Sequence, residues 1–341
     1  MKIGILTGGG DCPGLNPVIR AVVRTAMNDN QTIVGIRHGW KGLLDKETKP
    51  LDLKSVSGIL HKGGTILGTS RTNPYKKEGG VEIVKKNLAE LGIDALVAIG
   101  GEDTLGVATN LYKEGVKVVG VPKTIDNDLG ATDFTFGFDT AINIVMECID
   151  RLHTTAESHD RIMVVEVMGR HAGWIAAYSG IAGGADYILI PEIPIDAKEV
   201  CKSIQSRHER GKNFSIIVVS EGAFFKDENV CLQEKNLDEF GHVRLGGIGQ
   251  TLGKLIEDTT GFETRVTVLG HIQRGGTPTA FDRVLGTRFG VKAYKLIKAG
   301  SFGKMVSLKG NQIVDVNLED ATKELKTLDL DLYEMSKIFF S

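Results

Sequence analysis

Short apolar runs alternate along the chain with longer segments in which apolar residues recur every three or four positions. The short runs lie at residues 3–7, 32–36, 95–99, 116–121, 162–167, 187–190, 215–219 and 266–269. Continuous apolar runs of this length are typical of strands buried on both faces of a parallel sheet. Strands that alternate with helices imply right-handed crossovers and a sheet covered on both sides. The pattern therefore predicts an α/β fold.

The clearest helical period lies near the middle of the chain, at residues 138–152. Its apolar positions include Ala141, Val145 and Leu152, which fall on one face of a helix. After this helix the alternation starts again, so we expect two Rossmann-like, doubly wound domains with mainly parallel sheets. A chain of 341 residues with 41% hydrophobic residues can form two such cores. The polar stretch 224–241 lacks clean periodicity, and we expect a surface insertion there.

The net charge and the cysteine content limit the classes of partner and of site that we expect. The chain has 41 basic against 43 acidic residues and a net charge of −2, so we expect no nucleic-acid or membrane partner and only local anion sites. No apolar run resembles a signal peptide or a membrane span. Four scattered cysteines indicate neither a zinc site nor a disulfide framework, and we expect a cytoplasmic location. These cysteines are Cys12, Cys148, Cys201 and Cys231.

Polar side chains and glycines follow several of the predicted strands. The first strand ends in TGGGDCPGLN (residues 7–16), the third in IGGEDT (99–104) and the fourth in PKTIDND (122–128). Glycines let backbone N–H groups approach a phosphate, and ligands of open α/β sheets collect at such strand ends. The carboxylates and hydroxyls suit a metal-bound polyphosphate and a hydroxyl that loses its proton. The alternatives are a tight turn at the glycines and turn caps at Asp126 and Asp128.

Strand ends in the second half carry a different set of side chains. They read EVMGR (166–170), SEG (220–222) and HIQRGG (271–276). Arginine and histidine suit a sugar phosphate, and glutamate suits its hydroxyls. Arg161 and Arg265, at strand starts, read as ordinary surface arginines on the sequence alone.

Five segments resemble the phosphofructokinase family in order and in spacing. They are GGD (9–11), GGTILG (63–68), TIDND (124–128), VVEVMGR (164–170) and GHIQRGG (270–276). The resemblance covers about residues 1–320 and implies phosphoryl transfer to fructose 6-phosphate with Mg²⁺. It places the phosphoryl donor on residues 1–138 and 273–317, and the sugar phosphate on residues 139–272 and 318–341. The chain would cross back near Gln273.

The resemblance also implies a role for individual residues. Asp126 would be the base for the sugar 1-hydroxyl, Thr124 would position the phosphoryl group, and Asp128 would support their loop. Gly10, Thr104 and Arg71 would bind the donor. Met168, Gly169, Arg170, Glu221, His271 and Arg274 would hold the sugar phosphate. Arg161 and Arg265 would reach the 6-phosphate of a neighbouring subunit, which implies a homodimer or a homotetramer.

Several positions depart from the best-known bacterial ATP-dependent members. Glu102 replaces the usual magnesium-directing aspartate, while Asp103 and Lys123 replace glycines and resemble the pyrophosphate-dependent branch. We therefore expect pyrophosphate as the donor, with Asp103 and Lys123 in the catalytic set, and ATP as the alternative. His153 and Asp186 depart from the allosteric nucleotide site, although Arg20 and Arg24 match it, so we expect little allosteric control.

Two other classes fit less well. A catalytically silent nucleotide sensor on this scaffold would not need Asp126, Thr124 and Arg170 together. A NAD-dependent dehydrogenase would need an acidic ribose anchor after the second strand, where the chain reads IRH at residues 36–38.

Overall fold

A computed structural model of the protein describes residues 1–227 and 246–340. Of the insertion predicted at residues 224–241, positions 228–241 lie outside the described residues, as does Cys231. Among the described residues, no helix is both long enough and apolar enough to cross a membrane.

The chain alternates strands and helices as the apolar pattern predicts. The strands are β1 (Lys2–Thr7), β2 (Thr32–Ile36), β3 (Thr48–Leu51), β4 (Ala95–Gly100), β5 (Val118–Thr124), β6 (Phe136–Gly137), β7 (Ile162–Val167), β8 (Tyr187–Leu189), β9 (Ser215–Ser220), β10 (Thr264–Val268), β11 (Lys304–Lys309) and β12 (Gln312–Asn317). The helices are α1 (Leu15–Asn28), α2 (Trp40–Leu44), α3 (Gly80–Glu90), α4 (Glu102–Lys113), α5 (Phe138–His159), α6 (Trp174–Ala182), α7 (Ala197–Glu209), α8 (Ile248–Thr260), α9 (Ala280–Lys298) and α10 (Leu330–Ser336).

The described chain forms two compact units. Unit 1 comprises Met1–Ile125, Leu129–Thr140 and Arg274–Leu325, and unit 2 comprises Asp126–Asp128, Ala141–Gln273 and Lys326–Ser341. Residues 318–325 pack in unit 1, whereas the predicted bounds put them in the second domain. The assignment of a donor and an acceptor to the two halves stays a prediction.

Unit 1 is built on one sheet, eight-stranded within the described residues. Its order is β12-β11-β5-β4-β1-β2-β3, and β6 pairs with β5. The central pairs are parallel, whereas β3 and β12 pair antiparallel at the two edges. Strands β1, β4 and β5 are almost entirely buried, because helices cover both faces. Their carboxyl ends therefore meet along one rim of the sheet.

Unit 2 is built on a smaller sheet of order β10-β7-β9-β8, parallel throughout the described residues. Val164, Ile217 and Val219 lie in its core and pack against Leu252 and Ile256 of α8. The carboxyl ends of β7, β9 and β10 again lie side by side. The prediction of an α/β fold with mainly parallel sheets is confirmed in both units.

Candidate active site

The loop after β1 is held by backbone hydrogen bonds to two other segments of unit 1. The N–H of Gly8 donates to the carbonyl of Ile99 (2.9 Å), which ties the loop to the end of β4. The N–H of Gly9 donates to the carbonyl of Ser70 (3.1 Å). A Cβ at Gly10 would lie only 2.5 Å from Nη1 of Arg274, so a side chain there would push the guanidinium away. Gly10 therefore allows a cation to lie directly against the loop.

Two cationic side chains converge on this loop. Nζ of Lys123, at the end of β5, donates to the carbonyl of Gly10 (2.5 Å), and the lysine is 4% exposed. Nη1 of Arg274 donates to the carbonyl of Asp11 (3.4 Å). Arg274, which the resemblance gives to the sugar phosphate, thus contacts the glycine loop within unit 1. A buried lysine and an arginine therefore lie at the glycine loop, and both are side chains that bind phosphate through charge-assisted hydrogen bonds.

Carboxylates lie in the first turn of α4, which directly follows β4 at the same rim. Glu102 is exposed, Asp103 is half-buried, and Thr104 is buried beneath them. Among the described residues, no group of three or more His, Cys, Asp or Glu side chains could hold a metal ion. Magnesium binds typically through one or two carboxylates and completes its octahedron with phosphate oxygens and water. Glu102 fits that mode, in which the donor supplies the remaining ligands.

A cavity of about 730 Å³ adjoins these carboxylates in unit 1. Its lining is rich in charged groups and includes Asp103, Lys113, Glu319, Asp320 and Lys323. Nζ of Lys113 contacts the Glu319 carboxylate at 2.7 Å across the lining. The space is large enough for a ligand that extends beyond two phosphates.

Cys12, in the glycine loop, is a buried thiol. Burial raises its pKa to about 12, although the nearby Lys123 ammonium opposes that shift. A thiol with such a pKa stays protonated at neutral pH and is a poor nucleophile. Cys12 is therefore no candidate for a catalytic nucleophile.

The segment Asp126–Asp128 belongs to unit 2 and contacts the C-terminal part of the chain. Asp126 is 4% exposed and Asn127 is fully buried, with a left-handed φ of 52°. The backbone N–H of Lys326 donates to the carbonyl of Asp128 (2.9 Å). Nζ of Lys326 donates to Oδ1 of Asn127 (3.1 Å). Sequence reasoning missed Lys326, because a lysine in a polar stretch carries no pattern that distinguishes it.

The predicted sugar-phosphate residues of unit 2 gather at the ends of β7 and β9. The N–H of Glu221 donates to the carbonyl of Val167 (2.7 Å), and the N–H of Arg170 donates to Oε1 of Glu221 (3.4 Å). Oε1 of Gln273 accepts from the N–H of Met168 (3.2 Å). Gly169 (φ 142°) and Arg170 (φ 49°) turn the chain sharply after β7. His271 lies beyond β10 and is exposed.

Arg161 and Arg265 share one carboxylate. Nη2 of Arg161 contacts Oε1 of Glu263 at 2.8 Å, and Arg265 contacts the same oxygen. The Arg161 guanidinium is the main cause that lowers the pKa of Glu263. The two arginines therefore form one basic patch at the amino ends of β7 and β10.

Arg71, in unit 1, is exposed.

The carboxylate of Asp186 is already engaged. Arg207 contacts it at 2.9 Å, and the N–H of Ile216 donates to its other oxygen (2.9 Å). Nε2 of His153 lies 2.8 Å from the carbonyl of Gly183. Weak allosteric control at these positions stays a prediction.

Known proteins resemble this chain over its whole length. A family model described as phosphofructokinase matches residues 2–297. A protein of Streptomyces coelicolor named pyrophosphate–fructose 6-phosphate 1-phosphotransferase is 59% identical, with full coverage of both chains. An ATP-dependent 6-phosphofructokinase of Corynebacterium efficiens is 52% identical, with coverage of 100% of this chain and 99% of its own.

A solved structure of phosphofructokinase from Saccharomyces cerevisiae has the same fold. It superimposes with a TM-score of 0.81 and 34% identity over 94% of this chain. This chain spans 45% of that longer chain.

Proposed function

Because the chain belongs to the phosphofructokinase family, we propose that it transfers a phosphoryl group from pyrophosphate to the 1-hydroxyl of fructose 6-phosphate. The products are fructose 1,6-bisphosphate and phosphate, and the reaction is reversible. The observation that carries the donor assignment is the contact of Lys123 with the glycine loop, together with the place of Asp103 in the first turn of α4. It agrees with the name of the relative at 59% identity.

The charges at the donor site favour a short donor. The ammonium of Lys123, on the carbonyl of Gly10, is positioned to neutralise the phosphate that leaves pyrophosphate. Asp103 lies in the lining of the adjoining cavity. In ATP, the α-phosphate and nucleoside extend beyond the two terminal phosphates. A carboxylate beside that third phosphate is a like-charge contact, which costs energy in a partly dehydrated site.

Asp126 supplies the base. An alcohol becomes an effective nucleophile when a carboxylate within hydrogen-bond reach accepts its proton. The 1-oxygen then attacks the phosphorus of the donor while the bond to the leaving phosphate breaks, with no covalent enzyme intermediate. Thr124 positions the transferring group, and Arg71 neutralises its developing charge. Glu102 would hold Mg²⁺, which supplies neutralisation of the donor phosphates.

Most of the residues that we propose to bind fructose 6-phosphate lie in unit 2. Arg170 and Glu221 are hydrogen-bonded to each other at adjacent strand ends, where ligands of open α/β sheets bind. We propose that Arg161 and Arg265 bind the 6-phosphate of a neighbouring subunit, so that the working unit is at least a homodimer. A cytoplasmic location stays a prediction.

ATP is the second candidate donor. The cavity of about 730 Å³ beside Asp103 could take a nucleoside, and the relative from Corynebacterium efficiens is named ATP-dependent. In that case Asp103 would join Glu102 as a magnesium ligand and both donors would be accepted.

The test is a direct assay of product. Purified protein with Mg²⁺ and fructose 6-phosphate is supplied with pyrophosphate or ATP, and phosphorus NMR follows fructose 1,6-bisphosphate. We expect formation from pyrophosphate, and recovery of pyrophosphate when fructose 1,6-bisphosphate and phosphate are supplied. Formation from ATP alone would overturn the donor assignment and leave the family assignment intact.

A further inference from the structure

The C-terminal part of unit 2 lies on the segment that carries the proposed base. Lys326 makes two hydrogen bonds to it. Its backbone N–H donates to the carbonyl of Asp128 (2.9 Å), and its ammonium donates to Oδ1 of Asn127 (3.1 Å). One residue thus contacts the two positions that directly follow Asp126.

Asn127 has the least favourable backbone conformation in this segment. It is fully buried, and its φ of 52° is a left-handed conformation that asparagine tolerates at some cost. A hydrogen bond from an ammonium is roughly twice as strong as a neutral one. The bond to Oδ1 therefore stabilises the turn that sets the direction of the Asp126 carboxylate.

Trp174 holds the ammonium of Lys326 from the other side. Nζ lies 5.1 Å from the centre of the indole ring, within the range of a cation–π contact. The indole Nε1 donates to the carbonyl of Lys326 (3.0 Å). Trp174 is the first residue of α6, the helix that follows the sugar-phosphate turn at residues 168–170.

Glu192 secures the same arrangement one step further along the chain. Its Oε1 accepts from the N–H of Gly173 (2.9 Å) and from the N–H of Leu328 (2.8 Å). Residues 326–328 are thus fixed to the start of α6 at two points. The ammonium of Lys326 is held in one place rather than sampling many rotamers.

We propose that Lys326 is a positioning residue for Asp126 and acts through Asn127. The inference rests on the proposed function, in which Asp126 is the base. The role of Lys326 is to act through the segment that carries the base rather than on the substrate itself. It keeps the turn at Asn127 in the conformation that points the carboxylate at the 1-hydroxyl.

The first test is Lys326→Met, which keeps the length of the side chain and its contact with the ring but removes the ammonium. We expect kcat to fall by about tenfold to a hundredfold, because a small misplacement of a catalytic group costs that much. The KM for fructose 6-phosphate should change by less than about twofold, since the sugar contacts remain. Lys326→Arg, which keeps a cation, should restore part of kcat.

Lys337→Met is the matched control. Its ammonium also lies over an aromatic ring, 5.2 Å from the centre of Tyr333, in the same C-terminal segment. It pairs with the exposed Glu334 rather than with the catalytic segment. We expect wild-type kcat from this variant.

A double-mutant cycle with Asp126→Asn separates positioning from general stability. Asp126→Asn alone should lose about two to four powers of ten in kcat. If Lys326 acts through Asp126, adding Lys326→Met to that background should change kcat little further. Multiplicative losses, or a Lys326→Met kcat equal to that of Lys337→Met, would overturn the inference while the proposed function stands. A single Asp126→Asn variant that keeps more than about a tenth of wild-type kcat would instead overturn the role of Asp126 as the base, and the inference with it.

Discussion

Asp282 lies fully buried in the first turn of α9 and caps the start of α5. Its Oδ2 accepts from the N–H of Thr140 (2.8 Å) and from the Thr140 hydroxyl (2.5 Å). Burial raises the pKa of this carboxyl from 3.8 to about 6, although the bonds from Thr140 oppose the shift. The segment it caps leads back to β6, which pairs with β5 at Lys123 and Thr124. Asp282 therefore holds the segment that connects α5 to the donor rim.

The raised pKa of Asp282 determines how the free energy of unfolding should change with pH. Because the folded-state pKa is raised, this carboxyl contributes stability that is fully present below the unfolded value of 3.8 and lost as pH rises through about 6. A shift of about two units corresponds to about 3 kcal/mol. Asp282→Asn stays neutral and keeps an oxygen for Thr140, so it should lack this pH dependence.

Urea denaturation of both proteins across this range tests the prediction. Between about pH 4 and pH 8, the free energy of unfolding of wild type should fall relative to that of Asp282→Asn by about 3 kcal/mol. Asp45→Asn is the control. Lys41 lowers the pKa of the exposed Asp45, so any contribution of this carboxylate to stability should rise with pH rather than fall. A difference between wild type and Asp282→Asn that is independent of pH would refute the assignment.

At the scale of elements, helix α8 is anchored to the sugar-phosphate rim by one buried carboxylate. Glu166, on β7, is 2% exposed and accepts from the N–H of Gly247 (3.1 Å) and the N–H of Gly249 (2.8 Å). Its own carbonyl accepts from the N–H of Leu269, just after β10 (3.0 Å). A negative charge at a helix N-terminus is stabilising. Glu166 thus aligns the strand ends that carry Arg170 and His271.

We expect Glu166→Gln to raise the KM for fructose 6-phosphate by about tenfold, because a displaced strand end weakens sugar contacts. The KM for the donor should stay within about twofold, since the donor residues belong to unit 1. Gly249→Ala should act alike, as its Cβ would lie 3.0 Å from Oε2 of Glu166. Gly253→Ala is the control for crowding alone, because its Cβ would lie 2.6 Å from Val266 rather than beside Glu166. Equal changes in both KM values would show a general loss of structure.

The elements that the sequence predicts best are those buried on both faces. Strands β1, β4, β7 and β9 carry continuous apolar runs, so composition alone marks them. Edge strands β3 and β12 were not predicted, because half-exposed strands lack such runs and β3 contains Pro50. Helix α5 extends to His159, beyond the predicted end at Leu152, because its polar last turns carry no apolar period.

For the whole molecule, the sequence locates the site at strand ends but not the contacts that support it. The glycine loop, Lys123 and Asp103 could be predicted, since they lie at or just after the carboxyl ends of apolar strands. Contacts such as Lys326 with Asn127 join positions 199 residues apart, and only the folded chain brings them together. The shared contact of Arg161 and Arg265 with Glu263 likewise depends on the pairing of β7 with β10.

A shared active site follows if Arg161 acts in a neighbouring subunit. Chains of Asp126→Asn and of Arg161→Ala should each be inactive, whereas hybrid dimers hold one site with both residues intact. Random reassortment makes half of the dimers hybrid, so about a quarter of wild-type activity should return. Mixing Asp126→Asn chains with chains that carry both Asp126→Asn and Arg161→Ala should restore no activity, because no site then has an intact Asp126. A wild type that is active as a stable monomer would contradict the proposal.

Donor choice is the central claim, and it depends on the charges of Asp103 and Lys123. The most direct measurement is the ratio of kcat/KM for pyrophosphate to kcat/KM for ATP, in wild type, Asp103→Gly and Asp103→Gly with Lys123→Gly. We predict a ratio well above one in wild type, a lower ratio when the carboxylate is removed, and a lower one still when the ammonium is also removed. A wild type that prefers ATP, or an Asp103→Gly variant that loses both activities equally, would contradict the account.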